Sequence, residues 1–195
     1  MSAVDPKKEK RGRTPEFVRG ILAELGEDPD REGLLRTPER VAEALAYFTQ
    51  GYHVNVDEII ADAVFDEEQD EMVLLKNIDF YSLCEHHMVP FFGKCHIAYL
   101  PRKRIIGLSK LARVVDVFAQ RLQVQERLTR EIANAIDRHL QPHGVAVIVE
   151  AQHLCMMMRG VEKQNSQATT STMLGVFKED AAARMECFSL LGHRA

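Results

Sequence analysis

Apolar residues recur at helical spacing early in the chain. Phe17, Ile21, Leu22 and Leu25 fall on one side of a helix. Thr14-Pro15-Glu16 supplies an N-cap, a proline at the first helical position and an acid in the first turn; Gly26 and Asp28-Pro29 stop the run. The same device returns at Thr37-Pro38-Glu39, where Val41, Ala44, Leu45 and Phe48 form the stripe and Gly51 ends it. A helical pair therefore opens the chain.

From Asp57 to Asp70 the sequence is acidic and weakly patterned, which predicts a short helical turn and a loop. Glu71 to Leu83 reads as a strand, although Leu74-Leu75 breaks the alternation. Phe91 to Leu100 is a second strand, bounded by Pro90 and Pro101. Gly107 and Ser109 open a helix with Leu111, Val114, Val115, Phe118 and Leu122 on one side, and Lys110 and Arg113 off its edge. Leu128, Ile132, Ile136 and Leu140 mark a helix from about Gln125 to Leu140, before Pro142 and Gly144. Val145 to Met158 reads as one long strand, apolar on both faces. Ala168 to Phe177 is β-prone, and a helix from about Glu179 to Leu190 follows.

Strands in adjacent pairs with helices between the pairs predict an α+β domain: an antiparallel sheet with helices on one face. Residues 1–56 form the tail and helical pair, and residues 57–195 the sheet domain. The other sheet face needs a cover, for which a partner subunit is the candidate.

At 195 residues and 46% hydrophobic, the chain can build one core plus a helical appendage. A net charge of −4 gives no global field for nucleic acid or anionic lipid, so an anionic ligand must meet a local cluster. No apolar run is long enough for a membrane span. The charged stretch from Met1 to Arg13 lacks the apolar core of an export signal and reads as a solvated tail, which predicts a cytoplasmic protein. In a reducing compartment Cys84, Cys95, Cys155 and Cys187 are expected as metal ligands or core residues rather than disulfides.

Candidate chemistry concentrates in two segments, Cys84-Glu85-His86-His87 and His153-Leu154-Cys155. In an extended strand His153, Cys155 and Arg159 project the same way. If that face meets the Cys84 turn, Cys84, His87 and Cys155 can surround one ion, and two thiolates with an imidazole favour zinc. Three protein ligands plus water is the catalytic pattern; a closed site with His86 or His153 as fourth ligand is the structural alternative, and a Cys84–Cys155 disulfide another. Cys95 and Cys187 read as core, and His96, His139, His143 and His193 are given no role. Lys110 and Arg113 at a helix N-terminus can hold phosphate, with Arg159 directed at the metal; a solvated helix edge is the plainer reading. Arg102-Lys103-Arg104 reads as a surface turn.

Four ordered motifs carry a family resemblance: Cys84-Glu85-His86-His87, Gly107-Leu108-Ser109-Lys110-Leu111-Ala112-Arg113, Gln123-Val124-Gln125-Glu126-Arg127-Leu128-Thr129, and His153-Leu154-Cys155 with Met158-Arg159-Gly160. Together they resemble GTP cyclohydrolase I of the zinc-dependent type, from about Gly33 to near the C-terminus. The resemblance implies a tunnelling-fold subunit, ββααββ, whose sheets join around a ring, with two rings stacked into a homodecamer and active sites at subunit boundaries. The implied reaction converts GTP and water to formate and 7,8-dihydroneopterin triphosphate, the first step toward pterins and folates. The implied cofactor is Zn2+ on Cys84, His87 and Cys155, with His86 and His153 as acid/base groups. Glu126, with Gln125 beside it, is the implied guanine anchor. Ser109, Lys110, Arg113 and Arg159 are the implied ribose and triphosphate contacts, joined by Arg40 on the phosphate side. Glu43 stands where some members carry a lysine, so no contact is expected there.

The chemistry suits those residues. A carboxylate accepts both N1–H and the 2-amino group of guanine, a pair that adenine lacks. Without the resemblance, Glu126 would read as a surface acid paired with Arg130 at i,i+4. Zinc acidifies water for attack at C8, His153 is suited to protonate N7, and a second imidazole, His86, suits the later proton transfers. A non-catalytic, zinc-stabilised GTP- or pterin-binding module is the alternative, but it would be expected to lack a histidine or the anchor. A zinc nucleobase deaminase would need His-x-Glu and Pro-Cys-x-x-Cys, which do not occur.

Overall fold

The computed structural model describes residues 12–61 and 63–192, so most of the expected tail, and His193, lie outside the described residues. Two compact units divide between Gln50 and Gly51. In the first, helices α1 (Thr14–Glu24) and α2 (Thr37–Phe48) form where the apolar spacing places them. Their starts differ from expectation. Thr14 and Thr37 lie inside the first turn, and Arg13 and Arg36 hold the cap positions without a side-chain cap hydrogen bond. Proline has no N–H to leave unpaired and a φ already set for a helix, so Pro15 and Pro38 suit the first turn without a hydroxyl cap. The α1 stripe differs too, with Phe17, Ile21 and Leu25 exposed and Val18 buried.

In the second unit α3 (Val56–Ala61) leads to β1 (Val64–Asp66), β2 (Val73–Cys84), β3 (Pro90–Leu100) and β4 (Arg104–Ile106). Then come α4 (Leu108–Ala119), β5 (Leu122–Gln123), α5 (Gln125–Leu140), β6 (Gly144–His153) and α6 (Leu154–Met157). The order closes with β7 (Ala168–Gly175), α7 (Val176–Glu179) and α8 (Ala181–Leu191), where Asp180 caps the last helix by accepting from the Ala182 N–H. The strands β1 and β4 pair with each other, so Arg104 belongs to a strand rather than to a surface turn.

The main sheet runs β5-β2-β3-β6-β7, antiparallel except where the short β5 lies parallel to β2. Helices α4 and α5 cover one face. Leu111, Val114 and Val115 of α4 and Leu128, Ile132 and Ile136 of α5 meet Phe91, Cys95, Ile97 and Tyr99 of β3 and Val145, Val147 and Val149 of β6. On the opposite face Ala98 and Ala146 pack with Phe177 and Cys187, so the chain's own C-terminal helices cover part of it.

Two local features set the sheet's geometry. Gly93 lies where a Cβ would come within 1.8 Å of the Glu150 carbonyl, so only glycine lets β3 run this close to β6. The β2–β3 register shifts between Leu75 and Ile78, just after the Leu74-Leu75 break in alternation; there Asn77, at φ 62°, donates its N–H to His96 Nδ1.

The expected strand from Val145 to Met158 is shorter. Its last rung with β3 pairs Phe91 with His153, and Pro90 beyond has no N–H to extend the ladder. The chain turns into α6 at that point. Cys155 therefore sits on a helical turn, and the strand parity expected to align it with His153 and Arg159 does not apply. Among the described residues no helix is long and apolar enough to cross a membrane.

Candidate metal centre and active site

Cys84 ends β2, and the turn that follows is tied back by Met88 N–H donating to the Cys84 carbonyl and Cys84 N–H donating to Val89. His86 and His87 are exposed on this turn, while Cys84 is buried. The α6 turn brings Cys155, also buried, to the same place. Ligand atoms of Cys84, His87 and Cys155 lie within 4.8 Å of one another. Sγ of Cys84 is 3.7 Å from His86 Nδ1 and 3.9 Å from His87 Nδ1.

Electrostatics fit a cation here. Burial pushes the Cys155 thiol above its ordinary pKa, and the neighbouring Cys84 sulfur pushes it further, because two adjacent thiolates repel. A divalent ion relieves both effects, and the donor set of two sulfurs and one imidazole suits zinc. All four cysteines are free thiols, so the disulfide alternative does not apply.

His153 lies beside this cluster with its ring fixed on two sides. It stacks on Phe91 with centroids 4.7 Å apart and planes 3° from parallel, and its Nε2 is 2.8 Å from Gln125 Oε1. Burial lowers its pKa, and the nearby Glu126 carboxylate partly offsets that. Glu126 is exposed at the start of α5, and among the described residues no ion pair joins it to Arg130. Arg159 reaches the turn from beyond α6, its Nη1 3.2 Å from His87 Nε2.

The remaining expected residues are placed differently. Gln125 is buried, and its amide is bonded to Val149, Ala168 and His153. Ser109, Lys110 and Arg113 sit at the start of α4, whose far end leads into β5 beside Cys84. At 1.5 Å per residue, Lys110 is about 12 Å along the helix axis from Phe118, near the end of α4 that leads toward β5. Arg40 belongs to the first unit, where it donates to the Gly33 carbonyl and to Thr37 Oγ1.

A support network was not foreseen from sequence. Arg127, in the first turn of α5, donates to Glu85 in the turn after Cys84, to Gln123 Oε1 and to the Leu122 carbonyl. Gln123 in turn donates to Glu131 and to the Phe118 carbonyl. All these residues lie in or near recognised motifs, yet their charge pairing depends on β5 lying against β2, which no periodicity encodes.

Comparison with known proteins adds independent information. The family model described as GTP cyclohydrolase I matches residues 14–192. The chain is 59% identical over 174 residues to "GTP cyclohydrolase 1" of Dictyostelium discoideum, covering 89% of this chain and 75% of that one. It is 58% identical over 171 residues to the Homo sapiens protein of that name, covering 88% and 68%, and 58% identical over 176 residues to that of Coxiella burnetii, covering 90% and 96%. Among solved structures, an archaeosine synthase QueF-Like in the apo form aligns with a TM-score of 0.47 at 16% identity, over 56% of this chain and 97% of that one.

Proposed function

The chain belongs to the GTP cyclohydrolase I family, and we propose from that premise how its residues divide the work. It is an enzyme that opens the guanine imidazole ring of GTP hydrolytically at C8, releases formate and recloses the product to 7,8-dihydroneopterin triphosphate. Cys84, His87 and Cys155 would hold zinc. Bound there, zinc supplies Lewis acidity that brings the pKa of coordinated water down toward ~7.

The protein's own groups do the rest. Glu126 accepts N1–H and the 2-amino group of guanine, which sets the purine beside His153 and rejects adenine. His153, whose pKa burial lowers, is the group for proton exchange with the purine N7. His86, exposed at the mouth of the site, serves the later proton transfers of ribose opening and ring closure. Arg159 takes the near end of the triphosphate. The observation that carries this reading is the convergence of Cys84, His87 and Cys155 beside a stacked, hydrogen-bonded His153 and the Glu126 carboxylate.

Ser109, Lys110 and Arg113 complete the phosphate side from another copy of the chain, with Arg40 as a further contact. A ring assembly, a homodecamer in the family, supplies that second copy. Two features support an assembly: the open site, with His86, His87 and Met88 exposed, and the bare apolar stripe of Phe17, Ile21 and Leu25 on α1. Residues 57–195 carry the catalytic groups. A reducing, cytoplasmic setting that keeps both ligand thiols available belongs to the same reading, which assigns no nucleic-acid or membrane partner.

The direct test measures zinc on the purified protein and then formate and oxidised, fluorescent pterin after incubation with GTP. Stoichiometric zinc with formate release is expected. Zinc without formate would favour a binding module that has lost turnover.

A further inference from the structure

Gln125 is the first residue of α5 and is only 3% exposed. A buried amide needs partners for two N–H donors and a carbonyl acceptor. Its nitrogen lies 2.9 Å from the Val149 carbonyl and 3.0 Å from the Ala168 carbonyl, on β6 and at the start of β7. Backbone carbonyls only accept, so the amide nitrogen is fixed between them and the side-chain oxygen has to face His153. That oxygen also only accepts, and it lies 2.8 Å from His153 Nε2. The proton on the neutral imidazole is therefore on Nε2.

Neither partner has an easy way out of this arrangement. The Gln125 main chain is held by Thr129, whose Oγ1 donates to the Gln125 carbonyl at 2.7 Å and sits 2.6 Å from Thr170 Oγ1 on β7. The His153 ring lies flat on Phe91, its direct partner across the β3–β6 ladder. A ring flip would put the Cε1 carbon where Nε2 now meets the Gln125 oxygen.

We propose that Gln125 is a positioning residue for the reaction: it holds His153 as the Nε2–H tautomer, so that Nδ1 is the nitrogen that exchanges a proton with the substrate. This rests on the reading of His153 as the acid/base group. It also removes Gln125 from the guanine contacts that the family resemblance implies, because its polar atoms are already engaged. A hydrogen bond to one imidazole nitrogen sets the chemistry of the other, as in metal sites and hydrolase triads.

Solid-state nitrogen-15 NMR of zinc-loaded protein labelled at the histidine rings reads the tautomer directly, with the His153→Gln difference spectrum as assignment. A protonated Nε2 and bare Nδ1 are expected for neutral His153; the reverse would overturn the proposal without any Gln125 variant. In Gln125→Met, zinc content and GTP affinity should hold while kcat falls roughly ten- to a hundredfold and both tautomers appear. Weakened GTP binding at unchanged kcat would instead make Gln125 a substrate contact. Full turnover in His153→Gln would remove His153 from the chemistry and the proposal with it, an outcome that the tautomer spectrum separates from failure of the Gln125 contact.

Discussion

Arg127 on α5 donates to Glu85, the residue between Cys84 and His86, and so pins the turn that carries the candidate metal ligands to the helix that carries Glu126. The contact holds the Glu85 carboxyl below its ordinary pKa. A depressed carboxyl pKa means that the folded state gains from this pair above the unfolded pKa, and loses the gain as pH falls through the folded one. Arg127→Met should therefore lower the melting temperature of metal-free protein near neutral pH, and the gap from wild type should shrink on acidification. Zinc affinity, from competition with a chelator, should fall roughly tenfold or more. An unchanged affinity would reduce Arg127 to a surface pair.

Cysteine reactivity offers a second measurement. Cys95 is fully buried on β3 and burial alone drives its thiol far above the ordinary range, while Cys187 is raised by burial and then by Glu186. Both should resist alkylation until the protein unfolds. Cys84 and Cys155 are buried too, and the Cys155 thiol is also raised, but both border the exposed His86–Met88 turn, so zinc-free protein should label there slowly yet ahead of Cys95 and Cys187, and zinc-loaded protein should not. Peptide mass spectrometry reads all four positions. Equal labelling of Cys84 with and without zinc would take it out of the metal site.

Glu126 can be tested apart from the metal. Glu126→Gln keeps the size but loses the second acceptor, so GTP affinity should fall by roughly tenfold or more with zinc content unchanged. Removing the charge also removes the interaction that raises the His153 pKa, so His153 should become still harder to protonate. Histidine ring NMR across pH would show that shift as a lower midpoint. An unmoved midpoint would mean that solvent screens the pair.

The sequence made some of this legible and not the rest, for physical reasons. The helix Gln125–Leu140 was readable to the residue, because its apolar period and the Pro142 and Gly144 that follow are local signals. The end of β6 was not. Val145 to Val149 is apolar wherever the strand stops, and the stop is set by Pro90 on a different strand. Three-residue strands such as β1 and β4 carry too little pattern to register, since their pairing is with each other. At the site, the convergence of Cys84, His87 and Cys155 into a group that could hold a metal was readable even though the geometry expected for Cys155 differs: a helical turn, not strand parity, delivers its thiol. The support from Arg127 and Gln125 depends on contacts between elements, which residue types alone do not specify.

The place of Lys110 and Arg113 at the start of α4, whose other end leads toward Cys84, gives the sharpest test of assembly. If phosphate contacts come from a neighbouring subunit, a site needs His153 from one chain and Lys110 from another. His153→Gln and Lys110→Ala proteins should each be nearly inactive, the first with GTP binding retained and the second with it weakened. Co-expressed so that both chains enter one oligomer, they should regain formate release, because some boundaries then pair an intact His153 with an intact Lys110. Mixing the two preassembled oligomers without subunit exchange should restore nothing, which serves as the control. If the co-assembled protein stays as inactive as its parents, then both residues serve the same chain's site. In that case α4 would have to shift to deliver Lys110, which the packing of Leu111, Val114 and Val115 in the core opposes.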